Sequence, residues 1–221
     1  MRERILYVGL SRPKSRFKIG SLFIRWGEYP SSPFHPSTWF KLCPSSHAFI
    51  VFPAHENRPF YLVNEAAGTM VRFVSQPHFE DHTEVTSLYR FSFDKLQYQT
   101  IQTYGELHAG APYAFMENIG IVLVRIAKIF TGRTIPNPFG AGDGLQKCSE
   151  LVLRNVVERA CDLNAIRPEL FNQRGHLLPV DADVVGVRDI YEVLEFLSDN
   201  GTCERVELDS QMRVTDFKIA S

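Results

Sequence analysis

GAGDGLQKCSELVLRNVVERAC, residues 140–161, is the stretch on which the whole chain turns. Glycines at 140, 142 and 144 form a flexible lead-in. From about Gln146 the pattern becomes helical, with Leu151, Val152, Val156, Val157 and Ala160 at three- and four-residue spacing. Cys148 falls in the first turn, where unpaired backbone N–H groups and the helix dipole favour a thiolate. At about 100° per residue, Cys148, Val152 and Val156 share one stripe, which aims the sulfur at the body of the protein. Arg154 and Arg159 lie off that stripe. Such a cysteine is either a nucleophile or a buried structural residue, and a base elsewhere in the chain decides which.

The 221 residues are enough for one domain, or one domain with an appendage, around a substantial core. A formal net charge of −1 speaks against a general nucleic-acid binder, and no nucleic-acid partner is expected. Positive charge is nevertheless concentrated early, at Arg2, Arg4, Arg12, Lys14, Arg16 and Lys18, as a solvated face or, alternatively, a phosphate or polyanion contact. The four cysteines (43, 148, 161 and 203) lie far apart without a CxxC pair, which suggests neither a zinc site nor a disulfide framework. The apolar run 5–10 is too short for a signal peptide's core and no segment is long enough to span a bilayer. Residence in a reducing cytoplasm is expected.

Residues 5–10 read as a strand, followed by a basic loop and a second strand over 20–26. The Pro/Ser-rich segment 27–46 reads as a long loop whose Tyr29, Trp39 and Phe40 either line a substrate groove or simply pack. Residues 47–52 and 60–65 read as an antiparallel hairpin. With its turn centred near Glu56, His47 faces Glu65, and a carboxylate beside an imidazole fixes its tautomer and stabilises its charged form. A one-residue slip would put Asn64 there instead. Strands follow over 69–74 and 84–93, then a polar segment to 104. The cluster 77–82 holds His78 and His82 at i and i+4, a metal possibility set against a charged loop. Residues 105–118 turn into a helix, and the apolar stretch 120–130 reads as a buried helix rather than a membrane-surface one. Thr131 to Gly144 is rich in breakers. A phosphate loop is rejected, because Gln146, Lys147 and Cys148 stand where Gly-Lys-Ser/Thr would be needed. Residues 168–179 read as irregular, 187–197 as a helix and 206–217 as a closing strand or hairpin. No metal and no cofactor are expected.

Three pieces taken together resemble a known family. Ser46-His47-Ala-Phe-Ile-Val opens a strand, Val63-Asn-Glu65-Ala-Ala-Gly lies on the next, and Lys147-Cys148-Ser-Glu-Leu-Val opens a helix. In that order they are similar to the circularly permuted papain-like proteins, the NlpC-type, YiiX-like branch of cysteine amidases and peptidases. There the histidine precedes the cysteine, and here the order is His, Glu, Cys. Gly110-Ala-Pro-Tyr113 also resembles the Gly-x-Pro-Tyr ahead of that family's cysteine helix. The resemblance covers roughly residues 18–160. The lengthened approach over 125–146 and the final 55 or so residues depart from the pattern.

The resemblance implies an α+β permuted papain-like fold, an antiparallel sheet packed against the helix that carries the nucleophilic cysteine. A catalytic domain over 1–165 would be followed by an extension, 166–221, packed on it. The implied chemistry is acyl transfer, with Cys148 as nucleophile, His47 as base and acid, and Glu65 orienting His47. Tyr113, with Trp39 and Phe40, would contact a peptide or acylated substrate such as cell-wall peptide or a lipid-linked amide. The short form and basic start resemble bacteriophage-encoded members, which would place the protein in a host cytoplasm or a virion. A non-catalytic binding or structural module that keeps the fold is the alternative, and oligomeric state is left open.

Overall fold

The computed structural model describes residues 3–15, 19–27, 42–54, 61–133, 135–139 and 147–208. Its centre is a six-stranded antiparallel sheet, order β4-β3-β2-β1-β5-β6, flanked by helices: an α+β architecture. The strands are β1 (Arg4–Pro13), β2 (His47–Phe52), β3 (Leu62–Ala67), β4 (Met70–Ser75), β5 (Thr83–Phe93) and β6 (Glu204–Arg205). The helices are α1 (Ile19–Gly27), α2 (Gln76–His82), α3 (Lys95–His108), α4 (Phe115–Thr131), α5 (Cys148–Val152), α6 (Glu158–Ala160), α7 (Leu163–Arg174) and α8 (Val187–Asp199). Helix α5 runs into α6 through one π turn, Leu153–Val157.

The period-2 pattern of the strands sorts two cores onto the two faces of the sheet. Leu6, Val8 and Leu10 of β1, with Ala48, Ile50 and Phe52 of β2, point to the larger core. Leu151, Val152 and Val156 of the cysteine helix close that core, as do Leu170 of α7 and Val193 and Leu194 of α8. The segment after residue 165 therefore shares one continuous core with the sheet. On the opposite face Tyr7, Phe49, Val51, Val63 and Leu88 form a smaller core, capped by Phe79 of α2. Asp189 ties the helical layer together, accepting from Arg125 at 2.8 Å, His176 at 2.9 Å and the Gly186 backbone at 2.7 Å.

Several segments differ from their sequence reading. Residues 19–27 are a helix, not a strand: the apolar positions 19, 22, 23 and 26 follow helical spacing inside what looks like a continuous apolar run. Residues 76–82 are a short helix rather than a loop, with Pro77 at its start, where a missing N–H costs nothing. The polar segment after Phe93 is α3, opened by a capping box in which the Asp94 carboxylate accepts from the Gln97 backbone N–H at 2.8 Å. Residues 163–174 form α7 despite Pro168, with Asp162 capping its start and Gly175 in the left-handed conformation closing it. The closing strand is only Glu204–Arg205; residues 209–217 of the expected hairpin lie outside the described residues.

Strand β5 carries a bulge beside the candidate site. Its pairing with β1 shifts between Leu10 and Ser11, leaving Thr86 as the extra residue. The Thr86 hydroxyl donates to the Leu10 carbonyl at 2.9 Å and meets the Ser45 hydroxyl at 2.6 Å, which pins the chain just before His47.

At Gly9, opposite Phe49, a Cβ atom would lie 2.1 Å from the Phe49 ring. That ring fills the groove a side chain would occupy and packs at a tilt against Phe79, with centroids 4.5 Å apart. Gly9→Ala is expected to cost about 1–3 kcal/mol by overpacking, read as a lower urea midpoint at unchanged slope. An unchanged midpoint would mean that the Phe49 ring does not lie over β1.

Candidate active site

Cys148 begins α5, which packs on β2 and β3, and His47 begins β2. The nucleophile candidate thus comes from the helical layer and the imidazole from the strand end beside it. The His47 ring hydrogen-bonds the Cys148 sulfur, which also receives the backbone N–H groups of Ala48 and Ser149. Through Nε2 the same ring donates to Glu65 Oε2 at 3.0 Å. Glu65 Oε1 in turn accepts from Arg72 Nε and Nη2, at 2.9 and 2.8 Å. Sulfur, imidazole, carboxylate and guanidinium form one hydrogen-bonded line.

The hairpin register differs from the expected one by two residues. Glu65 lies directly opposite Phe49, not His47, and Asn64 opposite Ile50. An even shift keeps every side chain on its face, so Glu65 still reaches His47, as a diagonal neighbour. Asn64 points the other way, toward Gly105 of α3 and the Arg72 carbonyl. The orienting group is a carboxylate, not an amide.

Burial opposes charging His47, but the Cys148 thiolate and Glu65 outweigh it and push the imidazole up to about 10. Burial likewise opposes the Cys148 thiolate, yet the neighbouring imidazolium and two backbone N–H groups hold this thiol below its ordinary range. Glu65, also opposed by burial, is kept below the usual carboxylate range by His47 and Arg72. Both shifts favour the charged form of the pair, thiolate beside imidazolium, over thiol beside neutral imidazole.

Tyr113, expected to contact substrate, stands against the sulfur itself. Burial first, then the thiolate, raises its phenol well above the ordinary value, so it stays a donor. Its hydroxyl hydrogen-bonds Cys148 and accepts from Asn118 Nδ2 at 2.8 Å. Next to Cys148, the fully buried Lys147 places Nζ 3.6 Å from Glu117 Oε2 of α4. Arg72, Asn118, Lys147 and Glu117 were not singled out from the sequence. Arg72 comes from β4, Glu117 and Asn118 from the start of α4, and Lys147 from the residue before Cys148. Tyr29, Trp39, Phe40 and the glycines at 140, 142 and 144 lie outside the described residues. Ile135 and Phe139 are exposed, and Asn137 between them donates to the Glu117 carbonyl at 3.2 Å.

A cavity of about 450 Å³ opens beside this line, walled by Ser21, Ser46, His47, Glu65, Arg72 and Tyr113 among others. It reaches the imidazole and the phenol. The sulfur is not part of its lining and is only 1% exposed. His78 and His82 also line it, their rings 5.0 Å apart on α2. Among the described residues no group of three or more His, Cys, Asp or Glu is arranged to hold a metal, and no helix is long and apolar enough to cross a membrane.

The signs of these shifts define a pH window. The thiolate persists as pH falls below an ordinary thiol's pKa, and the imidazolium persists as pH rises until about 10. Burial pushes Cys161, at the far end of the same helical run, up to about 11. Alkylation of Cys148 by iodoacetamide, resolved by peptide mass spectrometry, should fall less steeply than that of Cys161 as pH drops from about 8.5 to about 6.5. At Cys161 it should fall about tenfold per unit. Opening of the buried sulfur scales the rate but not this contrast. Equal slopes at both cysteines would mean a neutral Cys148 thiol. No family model matches the chain, and no curated protein or solved structure matches it.

Proposed function

We propose that the chain is a cysteine hydrolase acting on an amide, peptide or acyl-amide, through Cys148, His47 and Glu65. The observation that carries this is the hydrogen-bonded line from Cys148 through His47 to Glu65 and Arg72. The order His, Glu, Cys and the resemblance to permuted papain-like amidases support it, and with them a permuted papain-like form of the α+β fold.

The Cys148 thiolate attacks the carbonyl carbon, forming a C–S bond as the carbonyl electrons move onto oxygen. The Tyr113 hydroxyl and a backbone N–H at the start of α5 are the donors placed to meet that oxyanion. The imidazolium gives its proton to the amide nitrogen, the C–N bond breaks and the amine leaves. His47, now neutral, takes a proton from water, whose hydroxide attacks the thioester carbonyl. The C–S bond breaks, the acid is released, and thiolate and imidazolium are restored. Glu65 orients the ring and stays ionised throughout, and Arg72 holds Glu65 in place.

The non-catalytic reading is favoured by one observation, the burial of the sulfur. Incubation with short-chain acyl thioesters, whose leaving group needs little help, separates the two. The expected result is a mass increase equal to the acyl group on Cys148, absent from Cys148→Ala, with free acid accumulating. Against an amide library, His47→Ala should lower turnover roughly 10²–10⁴-fold. Tyr113→Phe should lower it roughly 10²–10³-fold, mainly in kcat. No acyl adduct at Cys148, with wild type and Cys148→Ala alike in every assay, would leave the binding module standing.

A further inference from the structure

A second cavity, of about 420 Å³, adjoins the first. The two share Arg12, Pro13 and Ser21 in their walls, so they form one groove with a seam at the end of β1 and the start of α1. At that seam the Ser21 and Ser46 hydroxyls lie 2.6 Å apart, and Ser46 directly precedes His47. Beyond it the wall is Arg12, Lys14, Ser15, Arg25 and Glu84.

Charge in this outer cavity is unbalanced. Arg12 is matched by Glu84, through Nε at 2.9 Å and Nη2 at 2.6 Å. Arg25 spends Nε on the Cys43 carbonyl at 2.6 Å, and Lys14 engages the rest of the fold through its backbone N–H, bonded to the His82 carbonyl at 3.1 Å. Among the described residues no carboxylate pairs with Lys14 or Arg25. Two cations and two hydroxyls therefore converge on a concave space that opens toward His47. A carboxylate has two oxygens to offer such a donor set. A phosphate ester offers three, carries up to two negative charges, and suits a guanidinium beside an ammonium.

We propose that this outer cavity is a subsite for a phosphate ester group carried by the molecule whose acyl carbon is presented to Cys148. This rests on the hydrolase reading for the acyl end, while the anion subsite itself is independent of it. The basic run at the chain's start thereby acquires a role at Arg12 and Lys14, with Arg25 added by the fold.

The test uses affinity labels: N-bromoacetyl-phosphoethanolamine, the same reagent with a six-carbon linker, the carboxylate analogue N-bromoacetyl-β-alanine, and neutral N-bromoacetyl-ethanolamine. In each the thiolate displaces bromide as the C–S bond forms. At low reagent concentration one of the phosphate labels should modify Cys148 at least tenfold faster than the neutral one. Lys14→Gln with Arg25→Gln should bring that ratio near one. Lys14→Gln alone, on an exposed side chain, should lower it about threefold and guards against a folding artefact from Arg25. High salt should act in the same direction. A carboxylate label as fast as the phosphate labels would overturn the phosphate assignment. Separately, inorganic phosphate titrated into ¹⁵N-labelled protein should shift the amides around Ser15, Ser21 and Arg25, with affinity at least fivefold weaker in the double variant. No such shifts would overturn the subsite. If no label reaches Cys148 while phosphate still shifts those amides, the subsite stands and the hydrolase reading falls.

Discussion

The imidazole of His47, held between a thiolate and a carboxylate away from water, is the constraint on which the candidate site depends. Each of these charges is opposed by burial, and each is retained because its neighbour has the opposite sign. Along the line the signs alternate: Cys148 negative, His47 positive, Glu65 negative, Arg72 positive. Lys147 and Glu117 repeat the pairing one residue away. Each inner member has two partners, so loss of one neighbour leaves the other in place: His47 keeps Glu65 without Cys148, and Glu65 keeps the half-exposed Arg72 without His47. The shifts of Cys148 and His47 run in opposite senses, down and up, so each favours the charge that stabilises the other.

The fold holds this line by ordinary means. Antiparallel pairing of β2 with β3 and of β3 with β4 places Glu65 beside both His47 and Arg72, the latter directly opposite it. The bulge at Thr86 fixes the entry to β2. Anchoring of the cysteine helix comes from its buried stripe, and also from polar ties: Ser149 donates to the Val185 carbonyl at 2.8 Å and Asn155 to the Ile101 carbonyl at 3.0 Å. The π turn at Leu153–Val157 contains the second of those ties and packs against α3.

What was legible in the sequence follows from periodicity. Strands β1, β2, β4 and β5, the hairpin partner β3 and helices α4, α5 and α8 carry strong period-2 or 3.6 patterns. The dyad of His47 and Glu65 survived a misplaced turn because the error was even, and parity alone decides the face. Helices α3 and α7 were missed because they are mostly polar, although Asp94 with Gln97 and Asp162 are capping signals readable in the chain. Helix α1 was missed because four of its apolar residues fall in an unbroken-looking run. Arg72, Lys147 and Glu117 were not legible at all. Lys147 and Glu117 meet across elements far apart in sequence, which no local pattern encodes, whereas Arg72 faces Glu65 across the β3–β4 hairpin, whose register was not worked out from the sequence.

Net charge hid a further feature. A chain with a formal charge of −1 gives no hint of a cationic groove. Yet the two acids that line the groove are each occupied: Glu65 by His47 and Arg72, and Glu84 by Arg12. With those carboxylates matched, the field in the groove is set by Lys14 and Arg25, two residues that contribute little to a whole-chain count. Saturation of Glu65 therefore serves two ends: it holds the His47 ring in place, and it removes a negative charge that would otherwise face the groove.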